Sequence, residues 1–406
     1  MKKSIKKSSL VAALLLASVG SQSFAADSFA DSFKNGEFSG KIKSYYFMED
    51  YDSASTSDNS VWANGGQLSY KTDSFNGLRL GTTFQTSHIT NIDDTAGKQN
   101  KTMNSSGSVM SEAYLSYTYK NTTLKTGRQF VSLPLIKGSG SRLIKESFEG
   151  TFLTNTDIPD TKISLGKVTK YQTRTDGVSS TTNTASFNND TTNVGDVGEF
   201  HDIGTDGAIS LYVKNSSIDN LTLQAHYVDF VDEVADLYLD GIYKFKGDFK
   251  PFVALQYYNS SYDDASETDS SLIGYKVGAT ISGFKVHASY TSTDDEGNVN
   301  RGIGEAATAS FTSASTTSGN YTAGTDTWQV GLAKAFGKLS TKIKYTESDS
   351  VSDSKDLNQQ YFALKYKFGG SLENLALSTE YTIYDYGSGA ESKDKSELRA
   401  KFIYSF

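Results

Sequence analysis

The sequence predicts a transmembrane antiparallel β-barrel of eighteen strands, with short periplasmic turns and long extracellular loops. Three observations lead to this prediction. Segments with alternating apolar and polar side chains recur along the chain, and their length of about ten residues is typical of barrel strands. Short turns and long loops alternate between these segments, as they do in outer-membrane barrels. The final segment, 395–406, alternates in the same way and closes on aromatic residues, with Phe406 last.

The first 25 residues have the features of a secretory signal peptide. Four lysines precede a short apolar run, Leu10 to Val19, and Ser23-Phe24-Ala25 forms a small-x-small cleavage site. The apolar run is too short to span a bilayer as a helix. We therefore predict that residues 1–25 are removed and that 26–406 form one barrel domain in the bacterial outer membrane.

The composition fits an all-β membrane protein and excludes other classes. There are 25 Tyr and 23 Phe but only 3 Pro, and with no Cys a disulfide framework is excluded. The chain has 39 basic and 47 acidic residues, and loss of the four signal-peptide lysines leaves 35 against 47, a net charge near −12. This acidic balance argues against nucleic acid as a partner.

Eighteen segments satisfy the alternation in chain order. In the clearest hairpin Ile273, Tyr275 and Val277 share one face, and Ser282-Gly283 turns the chain into the next strand. Long connections are predicted at 89–109, 171–206 and 293–324. The predicted strands lie near 37–48, 61–72, 78–88, 110–120, 123–131, 148–155, 161–170, 207–214, 220–229, 236–246, 249–259, 271–281, 283–292, 325–336, 338–347, 358–369, 373–384 and 395–406.

The polar face of the strands carries an excess of cations. If apolar residues face lipid, Lys41 and Lys43 on the first strand and Arg399 and Lys401 on the last point into the lumen. The first and last strands are neighbours in a closed barrel, so we expect these four cations to form a cluster that holds anions near the periplasmic exit. The same parity places inside the cations Lys71, Arg79, Lys214, Lys276, Lys285, Lys342, Lys344, Lys365 and Lys367, and the fewer acids Glu112, Asp240, Glu380 and Glu397.

The long-loop side has the opposite charge. Acidic pairs and runs such as Asp93-Asp94, Asp263-Asp264 and Asp294-Asp295-Glu296 fall in these loops. The sequence therefore predicts a basic lumen under an acidic rim, and a basic passage concentrates anions and carboxylates.

Several segments in order resemble the OprD-type porins of Gram-negative bacteria. They are DSFKNGEFSG at 31–40, GGQLSYKT at 65–72, LKTGRQ at 124–129, SRLIKESFEG at 141–150 and ELR at 397–399. The resemblance implies an eighteen-stranded barrel, in agreement with the strand count. It also implies passage of small water-soluble nutrients, often with a carboxylate, along a ladder of basic side chains.

The resemblance further implies a third loop, about 132–147, that folds inward and sets the constriction. Arg128, Arg142 and Lys145 would form its basic wall, with Glu149 as an opposing acid. A guanidinium offers a rigid fork to a carboxylate, which suits this role.

Arg128 is the second arginine that the resemblance places in the ladder. Strict alternation from Leu124 turns Arg128 outward, so an inward orientation requires a bulge or an early strand end. Arg174, just past the seventh strand, and Arg79, at an inward position, complete the predicted pore-lining set.

These observations predict a porin for passive diffusion of small hydrophilic solutes and ions, favouring anionic or carboxylate-bearing nutrients. A non-selective or cation-preferring porin is the alternative. The expected surroundings are outer-membrane lipid and lipopolysaccharide, and both a monomer and a homotrimer stay open. No cofactor is predicted beyond weak Ca²⁺ binding at acidic loops.

Two other classes are less well supported by the sequence. An outer-membrane hydrolase would need a nucleophile and a base at the rim, and the only imidazoles are His88, His201, His226 and His287. The last two occupy inward strand positions with no evident partner. Small adhesive barrels have plugged interiors, whereas eighteen strands favour an aqueous pore.

Overall fold

The computed structural model describes residues 26, 28–93, 106–174, 198–314, 320–352 and 355–406. The predicted signal peptide, 1–25, and Asp94 of the acidic loops lie outside the described residues. Within the described ranges, no helix is both long enough and apolar enough to span a membrane.

In the described part of the chain, nineteen strands form one antiparallel sheet, preceded by one short helix. Two single 3₁₀ turns, Gly370–Leu372 and Glu391–Lys393, precede the last two strands. The elements are α1 (Phe29–Lys34), β1 (Glu37–Tyr51), β2 (Asn59–Lys71), β3 (Leu78–Asp93), β4 (Gly107–Tyr119), β5 (Thr122–Gln129), β6 (Ser147–Asn155), β7 (Thr161–Gln172), β8 (Phe200–Asp202), β9 (Ala208–Asn215), β10 (Leu221–Phe230), β11 (Val234–Lys244), β12 (Phe252–Tyr262), β13 (Ser270–Ile281), β14 (Phe284–Thr293), β15 (Asp326–Phe336), β16 (Leu339–Asp349), β17 (Leu357–Lys367), β18 (Leu375–Tyr386) and β19 (Lys395–Ser405).

The sheet closes into a barrel because β1 pairs with both β2 and β19. The three residues of β8 pair only with the end of β7, and β7 also pairs with β9, so eighteen strands make the wall. This confirms the predicted fold, and each of the eighteen predicted segments coincides with one wall strand. Where β1 meets β19, the N–H of Phe406 donates to the carbonyl of Gly40 at 3.0 Å, and the N–H of Gly40 donates to the carbonyl of Phe406 at 2.8 Å.

The two faces of the wall differ as the alternation predicts. On β1 the side chains of Phe38 and Ile42 are exposed, while Tyr45 and Phe47 on the opposite face are buried. Exposed large apolar side chains on the outer face are expected where the solvent is lipid.

Two long loops fold back into the lumen, the 130–146 loop between β5 and β6 and the 294–325 loop between β14 and β15. Leu135 and Ile136 of the first and Ile303 of the second are fully buried, together with inward wall residues such as Tyr258 and Leu272. These wall residues would line an open lumen, so their burial shows that the loops fill that side of the barrel. The inward 130–146 loop agrees with the predicted third loop at 132–147.

The two inward loops also pair with each other. Ile136 and Ile303 form a parallel β-bridge. The N–H of Lys137 donates to the carbonyl of Ile303 at 3.0 Å, and the N–H of Ile303 donates to the carbonyl of Leu135 at 2.9 Å. The two inward loops are therefore joined through their backbones.

Candidate functional site

A buried histidine holds the 130–146 loop against the wall. Nδ1 of His226 accepts the N–H of Leu135 at 3.0 Å, and its Nε2 lies 2.9 Å from Oγ of Ser210. Because Nδ1 accepts, the proton sits on Nε2, which donates to the serine. No partner for His226 was evident from the sequence, and the structure corrects this, since the imidazole has two hydrogen-bond partners, Leu135 and Ser210. His287 likewise contacts Oε1 of Gln329 at 3.2 Å.

A buried carboxylate joins the two inward loops. Oε2 of Glu146 accepts the N–H of Ser139 at 2.7 Å and the N–H of Glu305 at 3.0 Å. Its Oε1 lies 3.3 Å from Nε of Arg174. The side chain is about 1% exposed, and this burial raises the pKa of Glu146 to about 7, although the charge of Arg174 opposes the change.

Arg174 is a buried member of this junction. Besides Glu146, its guanidinium lies 3.7 Å from Glu305, and Arg301 reaches the same carboxylate at 3.7 Å. Arg174 also donates to Oγ of Ser141 at 3.4 Å. Arg174, which was predicted to line the pore, is thus paired with Glu146 and Glu305, two carboxylates that hold the loops together.

Arg142, at the tip of the 130–146 loop, is in a different situation. Its Nη1 donates to Oη of Tyr45 at 3.3 Å, and the guanidinium lies 5.3 Å from the ring centre of Phe47. Within the described ranges, Arg142 has no carboxylate at ion-pair distance and its Nε has no hydrogen-bond partner. The side chain is partly buried. An arginine stays charged in proteins, so this group can still bind an anion.

The loop tip is held in place by the first strand. Nζ of Lys43 donates to the carbonyl of Leu143 at 2.7 Å, and Leu143 is buried among Tyr45, Phe47 and neighbouring wall residues. Position 142 is therefore fixed beside the inner face of β1.

The four cations predicted to cluster lie on the inner faces of the paired strands β1 and β19. The register sets Tyr45 opposite Lys401 and Phe47 opposite Arg399. Two of the four are neutralised: Arg399 pairs with Glu397 and lies 3.8 Å from Glu380, and Lys401 lies 3.9 Å from Glu380. Lys41 and Lys43 have no acidic partner at ion-pair distance among the residues that the structure describes.

Lys145 and Arg79 occupy separate places. Nζ of Lys145 lies 4.0 Å above the ring of Phe130, and its backbone exchanges two hydrogen bonds with the side chain of Gln85, both at 2.9 Å. Arg79, near the short-turn end, lies 3.8 Å from Asp73. Lys145 therefore lies on the inward 130–146 loop, whereas Arg79 lies near a short turn, away from that loop.

The placement of Arg128 and Glu149 in the constriction was wrong. The pairings of β4 with β5 and of β5 with β6 run up to Arg128 without a register shift, so Arg128 pairs with Glu149 on one face. That face carries the exposed Leu153, while Phe148 and Phe152 lie in the lumen core. The two side chains form a 3.2 Å ion pair on the outer face, as strict alternation predicted.

Sequence reasoning missed the acids and the arginine of the second loop. Arg301 and Glu305 lie in 293–324, where no pattern was recognised, and Glu146 was not assigned a role. Inward Asp236 was also missed, although its carboxylate accepts from Oγ of Ser260 and Nδ2 of Asn300, both at 2.7 Å. No alternation marks Arg301 and Glu305 in this loop, and the partners that Glu146 and Asp236 find on the second loop are more than 60 positions away along the chain.

A further basic group lies on β16, three strands from β19. Nζ of Lys344 donates to the carbonyl of Ser313 at 2.7 Å, and both Lys342 and Lys344 lie within 5.7 Å of the ring centre of Tyr361. Across the described ranges, no group of three or more His, Cys, Asp or Glu side chains is arranged to hold a metal ion. The site thus consists of cations on the inner faces of β1, β16 and β19 and on the inward 130–146 loop.

Comparison with known proteins agrees with this architecture. The family model described as outer membrane porin, OprD family, matches residues 30–404. A search of curated proteins finds no significant match. Among solved structures, Pseudomonas aeruginosa OccK9 (OpdG) aligns with a TM-score of 0.78 at 17% identity, over 92% of this chain and 99% of that chain. Acinetobacter baumannii OccAB1 aligns with a TM-score of 0.76 at 17% identity, over 95% and 99% of the chains. Acinetobacter baumannii OccAB4 gives 0.76 at 17% identity, over 92% and 98%.

Proposed function

The chain belongs to the OprD family of outer-membrane porins, and we propose that its channel favours small anionic solutes, carboxylates in particular, at a constriction set by Arg142. Members of this family are channels for small solutes rather than enzymes. Solutes cross passively along their own gradient.

The observation that carries the proposal is that no described carboxylate pairs with the guanidinium of Arg142. Arg174, Arg301 and Arg399 each face at least one carboxylate within 4 Å, whereas no described carboxylate reaches Arg142. A carboxylate in transit can therefore pair with the guanidinium of Arg142 without displacing a carboxylate of the described residues.

Neighbouring cations extend the attraction beyond one residue. Lys41 and Lys43 lie on the same wall, and Lys145 lies on the same loop, none with an acidic partner at ion-pair distance within the described part of the chain. A solute held by Arg142 thus has adjacent positive charges on its way to the periplasmic end.

The reversal potential of a purified channel in a planar bilayer under a KCl gradient tests the proposal. In a water-filled passage, removing one charge about 4–10 Å from the ion path changes its energy by about 0.4–1 kcal/mol. The energies of an anion and of a cation change in opposite directions, so Arg142→Gln is expected to lower the anion-to-cation permeability ratio by about four- to thirtyfold. Arg128→Gln is the matched control, because it removes the same charge from the outer face and should leave the ratio unchanged.

A cation-preferring channel is the second candidate, and the acidic rim favours it. Asp263, Asp264, Glu267 and Asp269 are all exposed in the 263–269 loop at the extracellular end. Cation preference in the wild type would mean that this rim controls selectivity. An equal ratio in wild type and Arg142→Gln would remove Arg142 from the selective site.

A further inference from the structure

Helix α1 lies on the outer face of the barrel, at the periplasmic rim. Tyr70 shares the lipid-facing side of the wall with its cross-strand partner Phe38, and their ring centres are 4.5 Å apart. The hydroxyl of Tyr70 donates to the carbonyl of Phe33, the fifth residue of the helix. The helix is thus fastened to the side of the wall that faces lipid, not to the lumen.

Further hydrogen bonds fix the orientation of the helix. The N–H of Asp73 donates to the carbonyl of Ser32 at 2.9 Å, and Ser32 is buried against the rim. Ser28 caps the first turn by accepting the N–H of Asp31 at 3.0 Å. One side of this six-residue helix is therefore docked on the 72–77 turn, which leaves its other side uncovered by the described residues.

Two phenylalanines one helical turn apart stay partly exposed on this helix, although the ring of Phe29 also lies 5.9 Å from that of Phe75 in the turn. Phe29 is 49% and Phe33 is 43% exposed, and their ring centres lie 5.2 Å apart. Phe33 also lines an outer groove of about 340 Å³ with Tyr70, Leu80 and other wall residues. Exposed aromatic rings of this size are costly in water.

These rings continue the aromatic belt at the periplasmic end of the wall. The outward side chains nearest the helix, Phe38 and Phe406, are 70% and 58% exposed, and Phe249 and Phe336 occupy the same level further round the barrel. Aromatic side chains at this level sit at the boundary between acyl chains and headgroups.

We propose that helix α1 is an interfacial anchor that inserts Phe29 and Phe33 into the periplasmic phospholipid leaflet of the outer membrane. Its charged side chains suit this position, since Asp31 and Lys34 form a 3.1 Å ion pair and Lys34 stays largely exposed towards the headgroups. The anchor fixes the segment that enters β1, and β1 carries Lys43 and Tyr45 of the constriction.

Depth-dependent fluorescence quenching tests the anchor directly. The two native tryptophans, Trp62 and Trp328, are replaced by phenylalanine, and Phe33→Trp introduces the single probe into the mature protein. Two matched controls carry the probe elsewhere. Leu255→Trp, on the lipid-facing side of β12, is the control for lipid, and the native leucine is 61% exposed. Val351→Trp, on the extracellular side after β16, is the control for water, and the native valine is 75% exposed.

The expected result is strong quenching at position 33 by phospholipids brominated close to the headgroup, with protection from aqueous iodide. Iodide quenching equal to that of the Val351→Trp control, with no effect of brominated lipid, overturns the proposal.

Amide hydrogen exchange of 29–34 provides a test without the probe. In bilayers, exchange should be slower in the wild type than in Phe29→Ser/Phe33→Ser, whose barrel is checked by heat-modifiable migration on gels. Equal exchange in the two proteins also overturns the proposal.

Discussion

Replacement of Glu146 by alanine is expected to loosen the junction between the 130–146 loop and the 294–325 loop. The carboxylate accepts the N–H groups of Ser139 and Glu305 at 2.7 and 3.0 Å, and pairs with Arg174 at 3.3 Å. Each buried donor left without an acceptor costs about 1–3 kcal/mol, so the two amides alone cost about 2–6 kcal/mol. The free energy of opening the junction falls by this amount, and amide exchange through the open state speeds up on the order of 30-fold or more.

Amide hydrogen exchange of peptides that contain Ser139 and Glu305 measures this change, with peptides from the wall strand β13 as an internal reference. Glu146→Gln is the matched control, because its amide oxygen still accepts from both N–H groups, and its exchange should stay within about tenfold of the wild type. Identical exchange at these positions in Glu146→Ala and the wild type would refute the reasoning.

The same residue makes the junction depend on pH. Burial raises the pKa of Glu146 to about 7, whereas its ordinary value is 4.5. Glu146 therefore binds a proton more tightly in the closed junction than in the open one. Protonation of Glu146 stabilises the closed junction fully below pH 4.5, and this stabilisation is lost as the pH rises through about 7. Protection factors at Ser139 and Glu305 should fall over this range in the wild type and stay level in Glu146→Gln. A rise in protection over the same range would contradict the sign.

Two further outcomes follow from the wall. Asp236→Ala removes the carboxylate that accepts a hydrogen bond from Nδ2 of Asn300 at 2.7 Å, and this loss should release the 294–325 loop from the wall. Single-channel conductance should then rise and become noisier. Conductance identical to the wild type would exclude this tether. Gly150→Val places a Cβ against the backbone carbonyl of Lys167 and should weaken the pairing of β6 with β7, seen as a lower transition temperature in heat-modifiable gel migration. Gly140→Val, whose Cβ meets only contacts of 3.7 Å, is the control, and equal temperatures in the two variants would count against the clash.

The wall was predictable because the signal for a strand is local. Alternation with a period of two is written in consecutive residues, and it identified all eighteen wall strands, with errors confined to their ends. The hairpin turn at Ser282-Gly283 was equally legible: both residues have positive φ, +51° and +81°, as a two-residue hairpin turn requires.

For Arg128, the alternation of the strand and the resemblance to a porin family predicted opposite orientations of the side chain. Alternation from Leu124 turned it outward, while the resemblance to a family of porins placed it in the ladder. The structure follows the alternation, because a slip of one residue would move every side chain of β5 to the other face.

The sequence by itself determined the barrel, its strand number and the two faces of each strand. The tertiary structure decided which cations keep a free charge. Glu305 neutralises Arg174 from 131 positions along the chain, whereas no described carboxylate reaches Arg142. The physical reason is that ion pairing falls off within a few ångströms, and the paths of two irregular inward loops, which follow no period, set those distances.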